Sequence, residues 1–417
     1  MKSFQVPFID FKAQYRQIKR ELEQAFQEVM DSQLFILGPQ VARLERALAK
    51  YCGCQYAVGV SSGTDALLIS LMTAGIGLGH GVITTPYTFV ATAGAIARVG
   101  ARPLFVDIDP VSYTIDSGAV QRFFDQECRW HSAEGRLQHK RTATWVRGII
   151  PVHLYGQCAD MEPLLILAGE YNLVVIEDAA QAIGAGYPFE EKSGWARCGS
   201  LGEFGCFSFF PTKNLGGAGD SGLVTTSNRK TAETLGILRV HGAQGKNYHV
   251  KLGGNFRLDT LQAAILLAKL GHLDEWTVKR RAHAKYYETL FLQAGLQDKE
   301  RLTLPRAVWE EGLQNMAETG KEEPGPPYYG HVYNQYVIRA HQRDELRRYL
   351  AEQGVGTAVY YPLPLHLQPC FSELGYDEGD FPESEKAARE TLALPVYPEL
   401  EKAQLDYVAD RIAAFYE

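Results

Sequence analysis

Several features are scarce or missing in the 417-residue sequence, and each absence excludes a class of protein. No uncharged apolar run approaches the ~20 residues that cross a bilayer, so a membrane-spanning protein is not expected. Asp10 and Lys12 interrupt the N-terminal segment where a signal peptide needs an apolar core, which favours a cytoplasmic location. The formal net charge is -7 and no block is dense in lysine and arginine. A nucleic-acid partner is therefore not expected either, because such partners are bound mainly through their phosphates.

Cysteine is also scarce. The seven cysteines are an odd number and lie scattered along the chain, which predicts free thiols in a reducing cytosol. Cys52 and Cys54 are too close together for a zinc ribbon, and no second pair follows at a suitable spacing. Cys128, His131 and His139 offer three soft ligands without a fourth ligand or a turn motif, so we predict no metal site.

What is present indicates an α/β fold in two domains. A chain of this length exceeds what one compact core normally holds. After two N-terminal helices, short apolar runs such as "YAVGV" and "LVVIED" alternate with helical stretches such as "TDALLISLMTAG". Strands that are apolar on both faces predict a mostly parallel sheet covered by helices. We expect a large domain over residues 1–275, with a helical stretch from Asp259 to about Tyr287, and a smaller C-terminal α+β domain over 276–417.

Two segments resemble insertions into this pattern. Residues 121–144 are polar and aperiodic, which predicts a solvated excursion. Residues 306–330 include the proline- and glycine-rich stretch "KEEPGPPYYG", which predicts a loop.

A first candidate for ligand chemistry is the stretch "SSGTDALLISL". Ser61 to Thr64 follow a strand and open a helix, where unpaired amides and the positive end of the helix dipole suit a phosphate group. Gly63 allows a close approach of the backbone. The alternative is a capping box formed by Ser62 and Asp65, without a ligand.

A second candidate is the stretch "LVVIEDAAQAIGA", in which a buried strand ends in Glu177 and Asp178. Ligands of open α/β sheets lie beyond the carboxyl ends of the strands, and a carboxylate there can hold a positive charge of the ligand. The alternative is that Asp178 caps a following helix.

The third candidate is Lys213 in "FSFFPTKNLGGAGDSG", between phenylalanines and glycines. A lysine attacks a carbonyl group only when its amine is neutral, and partial desolvation favours that form. The alternative is a lysine in a surface turn that extends its amine into water. A phosphate site, a strand-end carboxylate and a desolvated lysine are together the three anchors that pyridoxal phosphate requires.

The order of these motifs resembles the DegT/DnrJ/EryC1/StrS family of pyridoxal-phosphate sugar aminotransferases, which have the fold type I of aspartate aminotransferase. The resemblance covers nearly the whole chain. Its motifs are "LGPQVARLERALAKYCG", "AVGVSSGTDAL", "TPYTFVATAGAI", "IPVHLYGQCADM", "EDAAQAIGA", "FSFFPTKNLG", "GGNFRLDTLQAAIL", "YYPLPLHLQPCF" and "LALPVYPEL".

The resemblance implies roles for individual residues. Lys213 would form the covalent link to the cofactor aldehyde, and Asp178 would pair with the pyridinium nitrogen; these are the predicted catalytic residues. Further predicted contacts to the cofactor are Gly63, Thr64 and Ser208 at the phosphate, Phe89 stacked on the ring, Gln181 near the phenolic oxygen, and Asn255 at the phosphate of the other subunit. Tyr361 would border the substrate.

The implied reaction is transamination of a nucleotide-linked keto-hexose in a homodimer with shared active sites. Lysine at position 213 favours this reaction, because relatives with histidine there dehydrate sugars. Glutamate is the expected amino donor. A 3-keto UDP- or dTDP-sugar is the preferred substrate, and a 4-keto nucleotide sugar is the alternative.

Two other functions compete with this interpretation. One is a non-catalytic cofactor-binding or regulatory protein, although all three anchors are present. The other is a lysine-dependent aldolase or lyase without the cofactor, which would leave Gly63, Thr64 and Asp178 without roles. The sequence departs from many relatives at Ser221, with no effect that we can assign, and at Tyr360, beside the substrate.

Overall fold

The computed structural model of the protein describes residues 5–189, 194–297, 301–310 and 329–417. The helices are α1 (Phe11–Ser32), α2 (Pro39–Cys52), α3 (Gly63–Thr73), α4 (Val90–Arg98), α5 (Ser117–Glu127), α6 (Met161–Glu170), α7 (Arg229–Leu238), α8 (Thr260–Leu270), α9 (Leu273–Gln293), α10 (Arg343–Glu352), α11 (Pro382–Glu390) and α12 (Lys402–Tyr416). The strands are β1 (Tyr56–Val60), β2 (His80–Thr84), β3 (Arg102–Phe105), β4 (Cys128–His131), β5 (Arg136–His139), β6 (Trp145–Ile149), β7 (Val174–Asp178), β8 (Gly186–Phe189), β9 (Gly194–Arg197), β10 (Phe204–Ser208), β11 (Gly222–Thr226), β12 (Leu302–Thr303), β13 (Tyr336–Ala340) and β14 (Thr391–Leu394).

The main sheet has the strand order β1-β11-β10-β7-β6-β2-β3. The pairs from β10 through β7, β6 and β2 to β3 are parallel, whereas β11 is antiparallel to both β10 and β1. The central strands are buried on both faces, since helices such as α3, buried from Ala66 to Leu71, cover the sheet. The predicted α/β architecture with a mostly parallel sheet is therefore confirmed.

The predicted helical stretch from Asp259 to Tyr287 consists of two helices. Helix α8 ends at Leu270, and α9 begins at Leu273 after a break at Gly271 and His272. Glycine has a low helix propensity, which is consistent with the interruption of the helix at Gly271.

A second core lies around the antiparallel sheet β12-β13-β14, with α9, α10 and α12 packed against it. Val6 belongs to this core and forms a bridge with Val355, so the N-terminal segment also contacts it. The division of the chain at residue 275 stays a prediction.

More than half of residues 121–144 are exposed, as expected of a solvated excursion, but the segment has regular structure and a few buried residues. The segment contains the end of α5 and the hairpin β4–β5, and β5 pairs with the first residues of β6 at the main sheet. Leu137, His139 and Cys128 are buried in it, because alternate residues of the hairpin face the core. Four-residue strands are too short to reveal this alternation in a polar sequence. Of the second insertion, residues 311–328 lie outside the described residues.

The expectation that every thiol is free is wrong for two cysteines. Cys158 and Cys198 form a disulfide, with Cα atoms 6.4 Å apart. They are 40 residues apart in the sequence, and only the folding of the chain around the end of β7 brings them together. No helix within the described residues has both the length and the apolar character that spanning a membrane demands.

Candidate active site

The candidate residues lie where three strands of the main sheet end. Asp178 is the last residue of β7 and Ser208 is the last residue of the parallel neighbour β10. Strand β1 has the same direction, because both β1 and β10 are antiparallel to β11, and it leads into α3 at Gly63. The register thus brings all three motifs to one edge of the sheet, where ligands of α/β proteins bind.

Asp178 is a buried carboxylate, with only 6% of its surface exposed. Its Oδ2 accepts a hydrogen bond from Thr92 Oγ1 at 2.7 Å, and its Oδ1 accepts one from the Ala180 amide at 3.2 Å. Burial raises the pKa of Asp178, while these two hydrogen bonds and the charge of Lys213 act in the opposite direction. No helix follows at 179–184, so the carboxylate does not serve as a helix cap.

Lys213 keeps part of its surface exposed, but its amine lies among protein atoms. Burial lowers the pKa of Lys213 to about 8, against a partial increase from the negative charge of Asp178. A large part of the amine is therefore neutral near pH 8, as a nucleophile requires. The alternative of a lysine extended into water does not fit this environment.

We expect this pKa to be measurable in the protein without cofactor. The reaction of Lys213 with a trace of acetic anhydride should follow the neutral amine and increase with pH, with a midpoint near 8. Competitive labelling followed by peptide mass spectrometry gives this midpoint. Asp178→Asn should lower it, because the charge of Asp178 raises the pKa of the amine. A midpoint at the ordinary lysine value of 10.5 would contradict the described environment.

Helix α8 holds the glycine-rich loop that follows Lys213. The buried Lys269 donates a hydrogen bond from Nζ to the carbonyl of Gly216 at 2.7 Å. Gln262 Oε1 accepts one from the Ala218 amide at 2.8 Å. Sequence reasoning missed both residues, although a lysine among the apolar residues of "TLQAAILLAKL" is a signal that could have pointed to Lys269.

Ser221 closes the other side of this loop. It is buried, its carbonyl accepts from the Phe209 amide at 2.8 Å, and its Oγ donates to the Phe209 carbonyl at 3.3 Å. Ser221, predicted from the sequence to depart from many relatives, therefore has a structural role in the loop.

Gly63 and Ser208 are in tight contact at the predicted phosphate site. A Cβ atom at Gly63 would lie 2.7 Å from Ser208 Cβ, closer than real Cβ contacts. Ser62 caps α3 by accepting from the Asp65 amide at 3.0 Å, and Asp65 accepts from Ser61 Oγ at 2.6 Å. The amides of Gly63 and Thr64 belong to the first turn of α3, where a helix provides no partner of its own for backbone N–H groups.

Gly63→Ala is expected to lower the free energy of unfolding by ~1–3 kcal/mol, since the new Cβ must displace Ser208. Denaturant unfolding of the cofactor-free protein measures the change. Gly236→Ala in α7 is the matched control, because its Cβ would meet nothing within 4 Å. The control should be neutral or stabilising by up to ~1 kcal/mol. Equal unfolding free energies for Gly63→Ala and the wild type would contradict the close contact.

Gln181, Tyr361 and Phe89 also come together. Gln181 Nε2 donates to Tyr361 Oη at 3.3 Å, and its Oε1 accepts from the Tyr155 amide at 2.7 Å. The rings of Phe89 and Tyr361 lie 6.2 Å apart, and Phe89 is 55% exposed, so it is not a core residue as periodicity alone would predict. Burial, and then the charge of Asp178, raises the pKa of Tyr361, which keeps its hydroxyl protonated.

A tyrosine cluster that sequence reasoning missed holds the segment before Tyr361. The hydroxyls of Tyr87 and Tyr155 both donate to the carbonyl of Tyr360, that of Tyr87 at 2.7 Å. Tyr155 Oη also lies 3.0 Å from Tyr87 Oη. The cluster joins the "TPYTF" and "HLYG" motifs to the segment predicted to border the substrate.

Asn255 stands apart from these residues. It is exposed, and its main chain forms a bridge with Val240. No hydrogen bond of the described part of the chain joins its side chain to the other candidate residues.

Comparison with known proteins places these features in a family. The model of the DegT/DnrJ/EryC1/StrS aminotransferase family matches residues 16–413. A pleiotropic regulatory protein of Geobacillus stearothermophilus is 47% identical over 99% of this chain and 98% of its own length. A dTDP-3-amino-3,4,6-trideoxy-alpha-D-glucose transaminase of Streptomyces venezuelae is 36% identical over 99% of this chain and 96% of its own length. A UDP-2-acetamido-2-deoxy-3-oxo-D-glucuronate aminotransferase of Pseudomonas aeruginosa is 35% identical over 97% of this chain and 98% of its own length.

Solved structures agree over nearly the whole chain. The S. venezuelae protein DesV, in complex with a ketimine intermediate, has a TM-score of 0.84 and 36% identity, covering 99% of both chains. The protein NtdA of Bacillus subtilis, with bound cofactor PMP, has a TM-score of 0.80 and 28% identity, covering 98% of this chain and 85% of its own. The predicted family, fold type and enzyme class are thereby confirmed. The chain belongs to the DegT/DnrJ/EryC1/StrS aminotransferase family.

Proposed function

We propose that the protein is a pyridoxal-phosphate-dependent aminotransferase of the cytoplasm that converts the keto group of a nucleotide-linked hexose to an amine, with glutamate as donor. One arrangement carries the proposal: the buried carboxylate of Asp178 at the end of β7 and the loop of Lys213 after the parallel strand β10 lie at the same edge of the sheet, and the charge of Asp178 acts on the amine of Lys213.

The residues present fit the cofactor. Asp178 has two hydrogen bonds to protein and a carboxylate that can face one more cationic group, as a protonated ring nitrogen would be. The tight contact of Gly63 with Ser208 leaves a backbone cradle at the start of α3, which suits a phosphate. When bound, pyridoxal phosphate supplies a ring that stabilises negative charge on the substrate carbon next to nitrogen.

The chain's own groups would then divide the work. Lys213 Nζ, with a pKa of about 8, can both accept and return a proton near neutral pH. The carboxylate of Asp178 would keep the proton on the ring nitrogen. Gln181 and Phe89, which both contact Tyr361, would hold the phenolic oxygen and the ring face, and Tyr361 would offer its protonated hydroxyl to the substrate.

A 3-keto sugar is the preferred substrate class. The names of two relatives that are 35–36% identical refer to carbon 3, one as a 3-amino and one as a 3-oxo sugar. Their nucleotides are dTDP and UDP, so both belong in a test.

The test combines purified protein, pyridoxal phosphate and glutamate with UDP- and dTDP-linked 3-keto and 4-keto hexoses. The expected result is an amine product, detected by mass, from at least one 3-keto sugar. Amination of the 4-keto sugars alone would refute the preferred position but not the reaction type. Lack of turnover of every sugar would refute the proposal.

A regulatory function is the second candidate, since the relative that is 47% identical is named as a regulatory protein. The glutamate half-reaction distinguishes the two functions. An aminotransferase converts bound pyridoxal phosphate stoichiometrically to pyridoxamine phosphate with glutamate, whereas a protein that only binds the cofactor leaves it unchanged.

We further propose that the active enzyme is a homodimer. Large apolar side chains are exposed on α1, on the turn after it and on the segment near Asn255, and such surfaces mark protein contacts. They include Phe26, Leu34, Ile36, Tyr248 and the 92% exposed Leu252. Phe26 also lines an apolar groove of about 670 Å³ between α1 and α8.

Mixed dimers test whether Asn255 acts in the partner's site. Lys213→Ala and Asn255→Ala proteins are mixed and allowed to exchange subunits. If Asn255 serves the partner, each mixed dimer has one intact site, and activity rises above that of either variant alone. Activity no higher than the mean of the two unmixed variants would refute the shared site.

A further inference from the structure

Behind the candidate site lies a second buried carboxylate whose role the proposed reaction does not explain. Glu177 precedes Asp178 in β7 and is fully buried. Its Oε2 accepts from the Gly199 amide at 2.6 Å, and its Oε1 accepts from the amides of Leu201 and Gly202, both at 2.7 Å. Successive residues of a strand point to opposite faces, so Glu177 contacts this turn while Asp178 faces the site.

His153 is the fourth partner of Glu177, and its tautomer follows from its hydrogen bonds. Nδ1 accepts from the Ala159 amide at 3.0 Å and therefore carries no proton. The proton is on Nε2, which donates to Glu177 Oε2 at 2.9 Å. The main-chain amide of His153 also donates to the carbonyl of Asp178 at 3.0 Å. One residue thus holds the side chain of Glu177 and the main chain of Asp178.

The cluster is not a metal site. His153 Nδ1 or Nε2 and the sulfurs of Cys158 and Cys198 lie within 4.8 Å of one another. Both ring nitrogens are already engaged, however, and the sulfurs are joined in a disulfide. The disulfide instead connects the segment that contacts His153 with the segment that contacts Glu177, since Cys158 precedes Ala159 and Cys198 precedes Gly199.

We infer that Glu177 and His153 are positioning residues, which hold the end of β7 so that Asp178 keeps its place opposite the cofactor ring. A buried carboxylate is costly unless it is fully hydrogen-bonded, so its four donors must stay together. These donors come from two segments on either side of β7 and restrict the rotation of its last residues. The inference rests on the proposed function, because it assigns the place of Asp178 in that reaction.

Two substitutions of His153 test its hydrogen bonds to Glu177 and to Ala159 one at a time. Glutamine places an amide N–H near the position of Nε2 and keeps the donor to Glu177, whereas asparagine places an oxygen near Nδ1 and keeps only the acceptor for Ala159. His153→Asn is expected to lower kcat and weaken cofactor binding by roughly tenfold each. The KM for the sugar should change by less than about twofold, because ground-state sugar binding does not involve Asp178. His153→Gln should stay within about threefold of the wild type in both quantities.

Glu385→Gln is the matched control for a lost buried pair. Glu385 is also buried, accepts from His366 Nε2 at 3.1 Å and from the Gly379 amide at 2.7 Å, and lies on α11 outside the candidate site. Its substitution should lower the melting temperature without changing kcat or the absorbance of the bound cofactor. If His153→Asn does not fold, Glu177→Asp takes its place, since its carboxylate keeps the charge but ends ~1.5 Å short of the donors.

Each outcome decides the inference. The inference is supported if His153→Asn loses kcat and cofactor affinity while His153→Gln keeps values near those of the wild type. Equal effects of both substitutions, no effect of either, or an equal loss in the Glu385→Gln control would overturn it. A wild-type protein that neither binds the cofactor nor turns over would instead refute the proposed function, so the two failures are distinguishable.

Discussion

Lys213→Ala is expected to lower kcat by at least about 10³-fold, because it removes both the nucleophilic amine and the group that moves the proton. The fold should persist, since the loop is held by Lys269 and Gln262 and not by the side chain of Lys213. Single-turnover measurement of product from glutamate and keto sugar gives the loss. Borohydride reduction of the wild type should leave the cofactor on the peptide that contains residue 213, and the variant should lack this label.

The exposed Lys230 on α7 provides the control for this substitution. Lys230→Ala should keep both turnover and the labelled peptide. A label on another peptide of the wild type, or turnover by Lys213→Ala within tenfold of the wild type, would contradict the role given to the lysine.

Asp178→Asn is expected to lower kcat by about 10²–10³-fold, because the amide cannot hold a proton on the ring nitrogen by its charge. The amide has nearly the same shape. Its oxygen can still accept from the Ala180 amide, and its NH2 group can donate to the hydroxyl of Thr92, which is able to accept, so the site should stay folded. Steady-state kinetics with saturating cofactor measure the effect. A variant with more than a tenth of the wild-type kcat would contradict this role.

The same substitution should not destabilise the cofactor-free protein. Burial raises the pKa of Asp178 above the ordinary value of 3.8, so the folded state binds a proton more readily than the unfolded chain. The contribution of this group to stability is present below pH 3.8 and is lost as the pH rises through the raised pKa. The side-chain amide of the Asp178→Asn variant does not ionise, so this variant loses no stability as the pH rises. Its melting temperature near pH 7 should therefore equal or exceed that of the wild type.

Asp107→Asn is the contrasting control. Asp107 accepts from the amides of Glu383 and Ser384, both at 2.9 Å, at the start of α11. Its substitution should lower the melting temperature and leave kcat unchanged. Equal behaviour of the two variants would show that loss of any hydrogen-bonded carboxylate, and not the position of Asp178, explains the kinetic effect.

Much of the fold could be predicted because its pattern is local. Apolar runs that alternate with helices indicated the parallel sheet, and the motifs around Gly63, Asp178 and Lys213 each required a residue type with recognisable chemistry. The polar hairpin β4–β5 could not be predicted in this way. Its short strands are specified by pairing with β6 and by burial of Leu137, and neither is visible in the composition of the segment.

The supporting residues of the site could not be predicted for a related reason. Lys269 and Gly216 are 53 residues apart, and the hydroxyl of Tyr87 and the carbonyl of Tyr360 are 273 residues apart. Such contacts depend on how whole elements pack, and a lysine or tyrosine in an apolar segment has many possible partners. Glu177 was visible at the strand end, but its contacts with the turn after Cys198 were not.

The amino-acid sequence by itself determined the fold class, the family and the three candidate anchors, because residue type and spacing along one strand or helix are local properties. Only the tertiary structure decided that these anchors meet. The parallel register of β7 and β10 and the shared direction of β1 bring their carboxyl ends together. The same packing buries the amine of Lys213, lowers its pKa to about 8 and sets it within reach of the charge of Asp178. Desolvation depends on atoms from every surrounding segment, so only the folded chain determines it.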